Sequence, residues 1–152
     1  MHLAQLNIAR MLAPMDSPIM ADFVANLERI NALAEAHAGF VWRLKDENNN
    51  ATSLRPFPDD MLIINMSVWE SPELLKTFAY QTIHAEIMVR RREWFEKHTQ
   101  AFMALWWVPE GHTPTLEEAK ERLEHLQEHS ETPFAFTFRR LFAPENTGGT
   151  IV

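Results

Sequence analysis

The sequence predicts an α+β domain in which strands and helices alternate along the chain. Two segments, Leu3–Ile8 and Met61–Trp69, alternate between two sets of residues with a period of two, which is typical of strands that have two different faces. Both are followed by an acidic-Ser-Pro sequence, at Asp16–Pro18 and again at Glu70–Pro72. Serine is a favoured helix N-cap and proline a favoured first helical residue, so we expect a strand–helix–strand unit that occurs twice.

The first unit continues with an amphipathic helix and a second strand. Apolar residues recur at spacings of three and four after Met20, and Gly39 ends the helix as a C′ glycine would. Phe40–Leu44 is predicted to be the second strand. A long polar loop follows from Lys45 to Asp60, and it could hold a short edge strand at residues 52–54.

The second unit repeats this order. After the strand Met61–Trp69 we expect a helix that passes through Phe78, a further helical piece from about Thr82 to Phe102, and a fourth strand at Leu105–Val108. Two such units give a ferredoxin-like βαββαβ domain, which is an antiparallel sheet with its helices on one face.

A C-terminal extension of one helix and one strand completes the predicted single domain, which spans residues 1–143. Thr115–Glu118 is a capping box that starts the helix, and apolar residues recur along it as far as Leu126. Three phenylalanines alternate with other residues in the last strand, Phe134–Phe138. Residues 144–152, with two glycines, are expected to form a flexible tail.

Helices on one face leave the other face of the sheet without a covering layer. The residues expected there mix amide, hydroxyl and indole groups, which is too polar for a plain core and too aromatic for a plain surface. We therefore expect a homodimer, in which sheet-to-sheet packing covers this face and encloses a small-molecule cavity. The residues concerned are Gln5, Asn7, Asn65, Ser67 and Trp69.

The composition limits the classes of partner. The chain carries 14 basic and 21 acidic residues, a net charge of −7, whereas binding of nucleic acid usually needs a basic face. No apolar run approaches the roughly 20 residues that cross a bilayer, and the first residues lack the basic and apolar regions of a signal peptide. The sequence has no cysteine, so disulfides are excluded and we expect a cytoplasmic location.

The common catalytic sequence motifs are missing. The sequence has no Gly-rich phosphate loop, no Gly-x-Ser-x-Gly and no His-Glu-x-x-His. His125 and His129 are four residues apart on the C-terminal helix, but cationic side chains near a helix C-terminus need no metal to explain them. We expect no metal site.

The helical segment after the third strand carries the best candidates for chemistry. Six residues are spaced by four, four, three, four and three and therefore share one side of a helix: Tyr80, His84, Met88, Arg91, Phe95 and His98. Histidine exchanges protons near neutral pH, and arginine can hold a carboxylate, phenolate or enolate. The alternative is an ordinary helix histidine with a carbonyl partner and an arginine on the surface.

Tryptophans and asparagines could complete such a site. A planar aromatic substrate would stack on Trp69, Trp42 or Trp106. Asn7 and Asn65, on neighbouring strands, could orient a substrate carbonyl or bound oxygen, or else bond to each other or to water.

Four segments resemble a family of bacterial proteins known as a domain of unknown function: Asn65–Ser71, Arg91–Phe95, Leu105–His112 and Phe136–Phe138. The resemblance extends over nearly the whole chain, to about Ala143. That family is similar to the dimeric α/β-barrel superfamily, which includes antibiotic-biosynthesis-monooxygenase-like proteins. The resemblance implies a ferredoxin-like fold and dimers formed by sheet-to-sheet packing.

The resemblance also implies a range of functions. Relatives include cofactor-free monooxygenases acting on polyketides, haem-degrading enzymes, and isomerases or decarboxylases of small aromatic molecules. In the monooxygenase-like relatives a Trp-x-Ser strand end leads into a helix with a histidine near the cavity, and Trp69–Ser71 and His84 match this pattern. Asn7 matches an asparagine of the haem-degrading relatives, but Met88 stands where their haem ligand would be, so haem is not expected.

These observations favour a cofactor-independent oxygenase or isomerase of an aromatic or polyketide-like metabolite. His84 would be the acid/base, and Asn7 and Arg91 would orient the substrate. The other substrate-binding residues would be Trp69, Tyr80, Asn65, Trp42, Trp106 and Met88. Two alternatives stand beside this hypothesis: a non-catalytic dimer that binds haem or a hydrophobic metabolite, and a structural protein with a filled core.

Overall fold

A computed structural model describes residues 1–45 and 56–144 of the chain. It contains four strands and four α-helices, with two short 3-10 turns at Pro18–Met20 and Arg91–Glu93. In chain order the strands and α-helices are β1 (His2–Arg10), α1 (Ala21–Ala36), β2 (Phe40–Arg43), β3 (Leu62–Trp69), α2 (Pro72–Gln81), α3 (Ile83–Val89), β4 (Met103–Val108) and α4 (Leu116–His129).

The strands form one antiparallel sheet in the order β2-β3-β1-β4. The central strand β1 places Asn7 opposite Asn65 of β3 and opposite Met103 of β4. Strand β2 is short, and its register shifts between Phe40 and Trp42. The predicted α+β class and the antiparallel sheet are therefore confirmed.

Three predicted caps form. Ser17 Oγ accepts from the backbone N–H of Ile19 in the 3-10 turn that precedes α1, and α1 itself starts without a side-chain cap. Ser71 Oγ accepts from the backbone N–H of Leu74 at the start of α2. At α4, Thr115 Oγ1 accepts from the backbone N–H of Glu118 at 3.0 Å. Local hydrogen bonding between residues two or three apart sets these starts, which is why the sequence predicts them well.

The helical piece predicted from Thr82 to Phe102 is wrong beyond its first two turns. Helix α3 ends at Val89, and the chain then turns back toward the sheet. Phe95 forms an antiparallel bridge with Met11, and the backbone N–H of Ile8 donates to the carbonyl of Phe102 at 2.9 Å. Because the backbone of this segment bonds to the β1 strand and the residues that follow it, it cannot continue a helix.

Both faces of the sheet are covered within one chain. Helix α4 packs on one face, where Leu123 and Leu126 join a core with alternate residues of β1 such as Leu6. Helices α1 and α2 pack on the other face, where Ala34 and Phe78 share a core with Leu3, Leu105 and Trp69. Helices α1 and α2 share one face as predicted, whereas the prediction that the other face lacks a covering layer is wrong.

The face that carries Gln5, Asn7, Asn65, Ser67 and Trp69 lies under α1–α3 rather than bare. This arrangement contradicts the premise from which sheet-to-sheet packing was predicted, because α4 occupies the opposite face. The homodimer itself stays a prediction, now without that reason.

The predicted last strand, Phe134–Phe138, is wrong as a continuous element. Phe136 and Leu105 exchange both backbone hydrogen bonds, at 2.7 and 2.9 Å, but the flanking residues form turns. The alternating phenylalanines predict a strand with all three rings on one face. In the structure Phe134 packs with the α4 core, whereas Phe136 and Phe138 pack with the core on the opposite face. The segment thus passes from one face of the sheet to the other. The tail predicted at residues 144–152 and the strand predicted at 52–54 lie, apart from Pro144, outside the described residues.

None of the helices in the described part of the chain has the length and apolarity that crossing a membrane requires.

Gly39 lets the turn between α1 and β2 approach α2 closely. Its φ is +86°, and a Cβ there would lie 2.4 Å from Cδ1 and 2.7 Å from Cβ of Leu74. We expect Gly39→Ala to lower the free energy of unfolding by about 2–4 kcal/mol, since left-handed strain and steric overlap add. Gly111→Ala is the matched control for urea denaturation. Gly111 has the same φ but no heavy atom within 4 Å of the added Cβ, so only about 1–2 kcal/mol should be lost. Equal losses would contradict the steric explanation.

Candidate functional site

A cavity of about 450 Å³ lies between the sheet and the helices α1–α3. Strands β1 and β3 form its floor, and α1, α2 and α3 contribute mostly apolar side chains to its walls. A volume of this size is ordinary for a pocket that binds a small molecule. The walls include Phe23, Leu27, Ile30, Phe78, Ile87 and Met88.

The floor of the cavity carries a connected row of polar side chains. Gln5 Nε2 donates to Asn65 Oδ1 at 2.6 Å and to Ser67 Oγ at 2.8 Å. The indole N–H of Trp69 also donates to Ser67 Oγ, at 2.8 Å. These bonds fix the orientation of the amides, because each side chain is held by its neighbour on the same face. Asn65 is exposed although β3 is an internal strand, so its side chain meets the hollow of the cavity.

Asn7 lies beside this row, and its side-chain oxygen has no partner among the described residues. This Oδ1 is buried and accepts no hydrogen bond there. A bond between Asn7 and Asn65 therefore does not involve this oxygen, and the donor to Asn65 Oδ1 is Gln5. Buried acceptors normally have donors, so a donor group of a ligand or a water molecule would be favourable at Asn7.

His84 lines the cavity at the start of α3, with its Nδ1 3.1 Å from the carbonyl oxygen of Ala79. A carbonyl only accepts, so Nδ1 carries the hydrogen and Nε2 keeps the lone pair. The ring packs on Phe78 with centroids 5.2 Å apart. Burial of the ring lowers the pKa of His84, and the hydrogen bond to Ala79 opposes this only in part. His84 is thus a neutral base near pH 7, and it has the carbonyl partner of an ordinary helix histidine as well.

The lowered pKa of His84 gives a pH-dependent prediction. We expect NMR titration to place the pKa of His84 below its ordinary value of 6.5. Below about pH 6.5 the unfolded state binds a proton at His84 that the folded state does not yet bind. The folded state therefore has its full stability above about pH 6.5 and loses stability as the pH falls toward the pKa of His84 in the folded state. His84→Ala should weaken this acid dependence in urea denaturation, whereas His129→Ala, exposed on α4, should not. A pKa above 6.5 would contradict the burial argument.

Three basic side chains mark the open side of the cavity. Arg91, Arg92 and Lys97 line it and are also exposed to solvent. They belong to the connection between α3 and β4, which also contributes His98 and Phe102 to the lining. The rings of His98 and Phe102 stack with centroids 4.6 Å apart and planes 13° apart.

The structure brings together seven of the nine predicted site residues. The cavity is lined by Asn7, Asn65, Trp69, Tyr80, His84, Met88 and Arg91. Trp42 and Trp106 do not line it, because they lie on the α4 side of the sheet, where both pack with the other core. Trp106 donates its indole N–H to Glu118 Oε2 at 2.8 Å, whereas Trp107 donates to the carbonyl of Phe142.

Sequence reasoning did not assign four charged residues that line the cavity: Arg43, Arg92, Glu96 and Lys97. Arg43 lines the cavity, its side chain is only 5% exposed, and it forms an ion pair with Glu35 of α1 at 3.1 Å. The eight-residue separation crosses a helix end and a turn, so no helical spacing indicates this pair. In residues 1–45 and 56–144, no group of three or more His, Cys, Asp or Glu side chains is placed to hold a metal ion.

Comparisons with known proteins give a family and one solved structure. A family model described as "Domain of unknown function (DUF3291)" matches residues 2–149. The chain is similar to the crystal structure of a protein of unknown function from Nitrosomonas europaea, with 15% sequence identity and a TM-score of 0.48. That match covers 75% of this chain and 95% of the other. A comparison with curated proteins found no match.

Proposed function

Since the chain belongs to the family described as DUF3291, a domain of unknown function, we propose its function from the cavity itself. The cavity binds a small, largely apolar and flat metabolite, and His84 transfers a proton in a cofactor-independent oxygenase or isomerase reaction. The observation that carries the proposal is the position of the His84 ring in the wall of the cavity, with Nδ1 held by Ala79; burial there also lowers the pKa of His84.

His84 would act as the base. Nε2 takes a proton from an acidic C–H or O–H of the substrate, while Nδ1–H keeps its bond to the Ala79 carbonyl and stabilises the imidazolium that forms. In an isomerisation the proton returns to a different atom of the substrate. In an oxygenation O₂ oxidises the substrate anion, a C–O bond forms, and the resulting peroxide takes the proton back from His84. Arg91 and Asn7 would orient the substrate, Asn7 with its unbonded Oδ1.

Aromatic side chains support a flat substrate. Trp69 and Phe78 stack with centroids 5.2 Å apart and planes 28° apart at one end of the cavity. Both are nearly fully buried, so this wall is rigid and apolar. Such a wall favours ring-bearing ligands over polar ones.

We also propose the ferredoxin-like topology and the dimeric α/β-barrel relationship for this fold. The element succession from β1 to β4 and the strand order β2-β3-β1-β4 support the topology. Dimerisation would have to accommodate α4, which packs on the sheet. If light scattering finds only a monomer at high protein concentration, the proposal of a dimer is wrong.

A second proposal is a non-catalytic protein that binds haem or a hydrophobic metabolite. The mostly apolar walls of the cavity favour it, and binding needs no reactive group. Titration with haemin separates the two ligands, because a haem site gives a shifted Soret band and a metabolite site gives none. We expect no shifted band.

Blocking the cavity tests both proposals. We expect Asn65→Trp to fill the hollow above the floor, so that a small molecule recovered with the wild-type protein by mass spectrometry is absent from this variant. Val41→Trp, on an exposed part of β2 outside the cavity, is the control and should retain the ligand. Equal recovery from all three proteins would refute the cavity site. Incubation of the identified ligand with the wild-type protein then separates the proposals, since only an enzyme yields a product.

A further inference from the structure

The cavity lining carries more cationic than anionic side chains. Four cationic residues line it, Arg43, Arg91, Arg92 and Lys97, against a single carboxylate, Glu96, among the described residues. Arg43 is paired with Glu35, and Glu96 is paired with Arg10, outside the cavity. The charge that remains on the lining therefore belongs to Arg91, Arg92 and Lys97.

In the part of the chain that the structure describes, none of these three side chains forms an ion pair with a carboxylate. Throughout the ranges that the structure describes, no carboxylate lies within ion-pair distance of Arg91, Arg92 or Lys97, although neighbouring Arg90 is bound by both Asp22 and Glu93. The chain as a whole has a net charge of −7, so acidic partners are abundant. The positive charge of Arg92 also acts on His98 across the lining, where it adds to burial in lowering the pKa of that histidine.

The position of the three cations relative to His84 defines how a ligand would lie. Arg91 follows His84 by seven residues: α3 rises roughly 8 Å from His84 to Val89 at 1.5 Å per residue, and Arg91 lies just beyond, in the 3-10 turn Arg91–Glu93. The space between is lined by apolar side chains, including Ile87 and Met88. A charge at the open side and a reacting group near His84 are therefore separated by about the length of a ring with a short side chain.

We propose that the natural ligand is an organic acid with an apolar body, whose anionic group binds at Arg91, Arg92 and Lys97 while the body extends toward His84 and Phe78. This assignment rests on the proposed function of the cavity. Arginine side chains bind carboxylates in a two-pronged geometry, and charge-assisted hydrogen bonds are stronger than neutral ones. The acid group anchors the ligand and is not the reacting group.

The test uses a neutral fluorescent probe and a matched pair of competitors. N-phenyl-1-naphthylamine reports occupancy of the cavity, and 1-naphthaleneacetate and 2-(1-naphthyl)ethanol compete with it. The two competitors share a ring and a chain length and differ in charge. We expect 1-naphthaleneacetate to displace the probe at about tenfold lower concentration than the alcohol. In Arg91→Gln/Arg92→Gln this preference should fall to within about threefold, with the affinity of the alcohol unchanged.

A charge-matched control excludes a general effect of net charge. Arg29→Gln/Lys76→Gln removes the same charge from exposed positions outside the cavity lining and should keep the tenfold preference. Equal displacement by the acid and the alcohol in the wild-type protein overturns the organic-acid assignment, and so does a preference that survives in Arg91→Gln/Arg92→Gln. If the probe fails to bind, or if Asn65→Trp binds it equally well, the cavity site itself is overturned.

Discussion

His84→Ala is expected to reduce turnover of the cavity's substrate by about 10²–10⁴-fold, the usual contribution of a positioned general base. The variant removes the only atom proposed to accept the proton, the Nε2 of a ring fixed through Nδ1 to Ala79. Substrate affinity should change little, because Trp69, Phe78 and the floor amides remain. The substrate identified by mass spectrometry supplies the assay, with turnover and binding measured separately.

Two further histidine variants make this experiment decisive. His129→Ala, exposed on α4 and outside the cavity lining, should leave turnover unchanged. His98 lines the cavity too and also has a pKa lowered by burial, so it is the rival base. If His98→Ala abolishes turnover while His84→Ala leaves it intact, the proton transfer belongs to His98 and our assignment is wrong.

Trp106→Ala is expected to lower the free energy of unfolding by about 3–5 kcal/mol, as truncations of large buried side chains do. Trp106 is fully buried between the sheet and α4. Its indole N–H donates to Glu118, which His112 also contacts at 2.7 Å. The truncation therefore leaves a void in the core and takes a donor from Glu118, and urea denaturation monitored by circular dichroism measures the sum.

The neighbouring tryptophan provides the comparison for this prediction. Trp107 is half-buried on the other side of β4, so Trp107→Ala should cost about half as much. Trp106→Phe keeps most of the ring and should show the contribution of the Glu118 bond. A loss below about 1 kcal/mol for Trp106→Ala would mean that α4 does not form a firm layer on this face.

Local patterns predicted the elements of this fold well, and the covering of the sheet poorly. Period-two alternation located β1 and β3, and serine or threonine caps located the helix starts, because both depend on residues close in sequence. Alternation also predicts that Trp106 and Trp107 lie on opposite sides of β4. It does not predict which of the two faces the cavity, since that depends on where the C-terminal segment crosses the sheet. The predicted site therefore included Trp106, and with it Trp42, although both lie on the α4 side.

The candidate site was predictable where one helix carries it. Spacing of three and four placed six residues on a common side, and all six line the cavity: Tyr80, His84, Met88, Arg91, Phe95 and His98. The predicted helix is wrong beyond Val89, and Phe95 and His98 reach the cavity from the connection to β4. The contribution of Arg43 depends on how distant segments pack, and single-sequence patterns contain no signal for such packing.

The reciprocal backbone bonds between Leu105 and Phe136 bear on aggregation. Strand β4 lies at one end of the sheet, where unpaired N–H and C=O groups can recruit a strand from another molecule. Phe136 already pairs with the backbone N–H and C=O of Leu105. The middle of this edge strand therefore cannot pair with a strand of another molecule. At the opposite edge of the sheet, β2 is only four residues long and its pairing with β3 is irregular. Both features discourage the stacking of monomers into extended intermolecular β-structure.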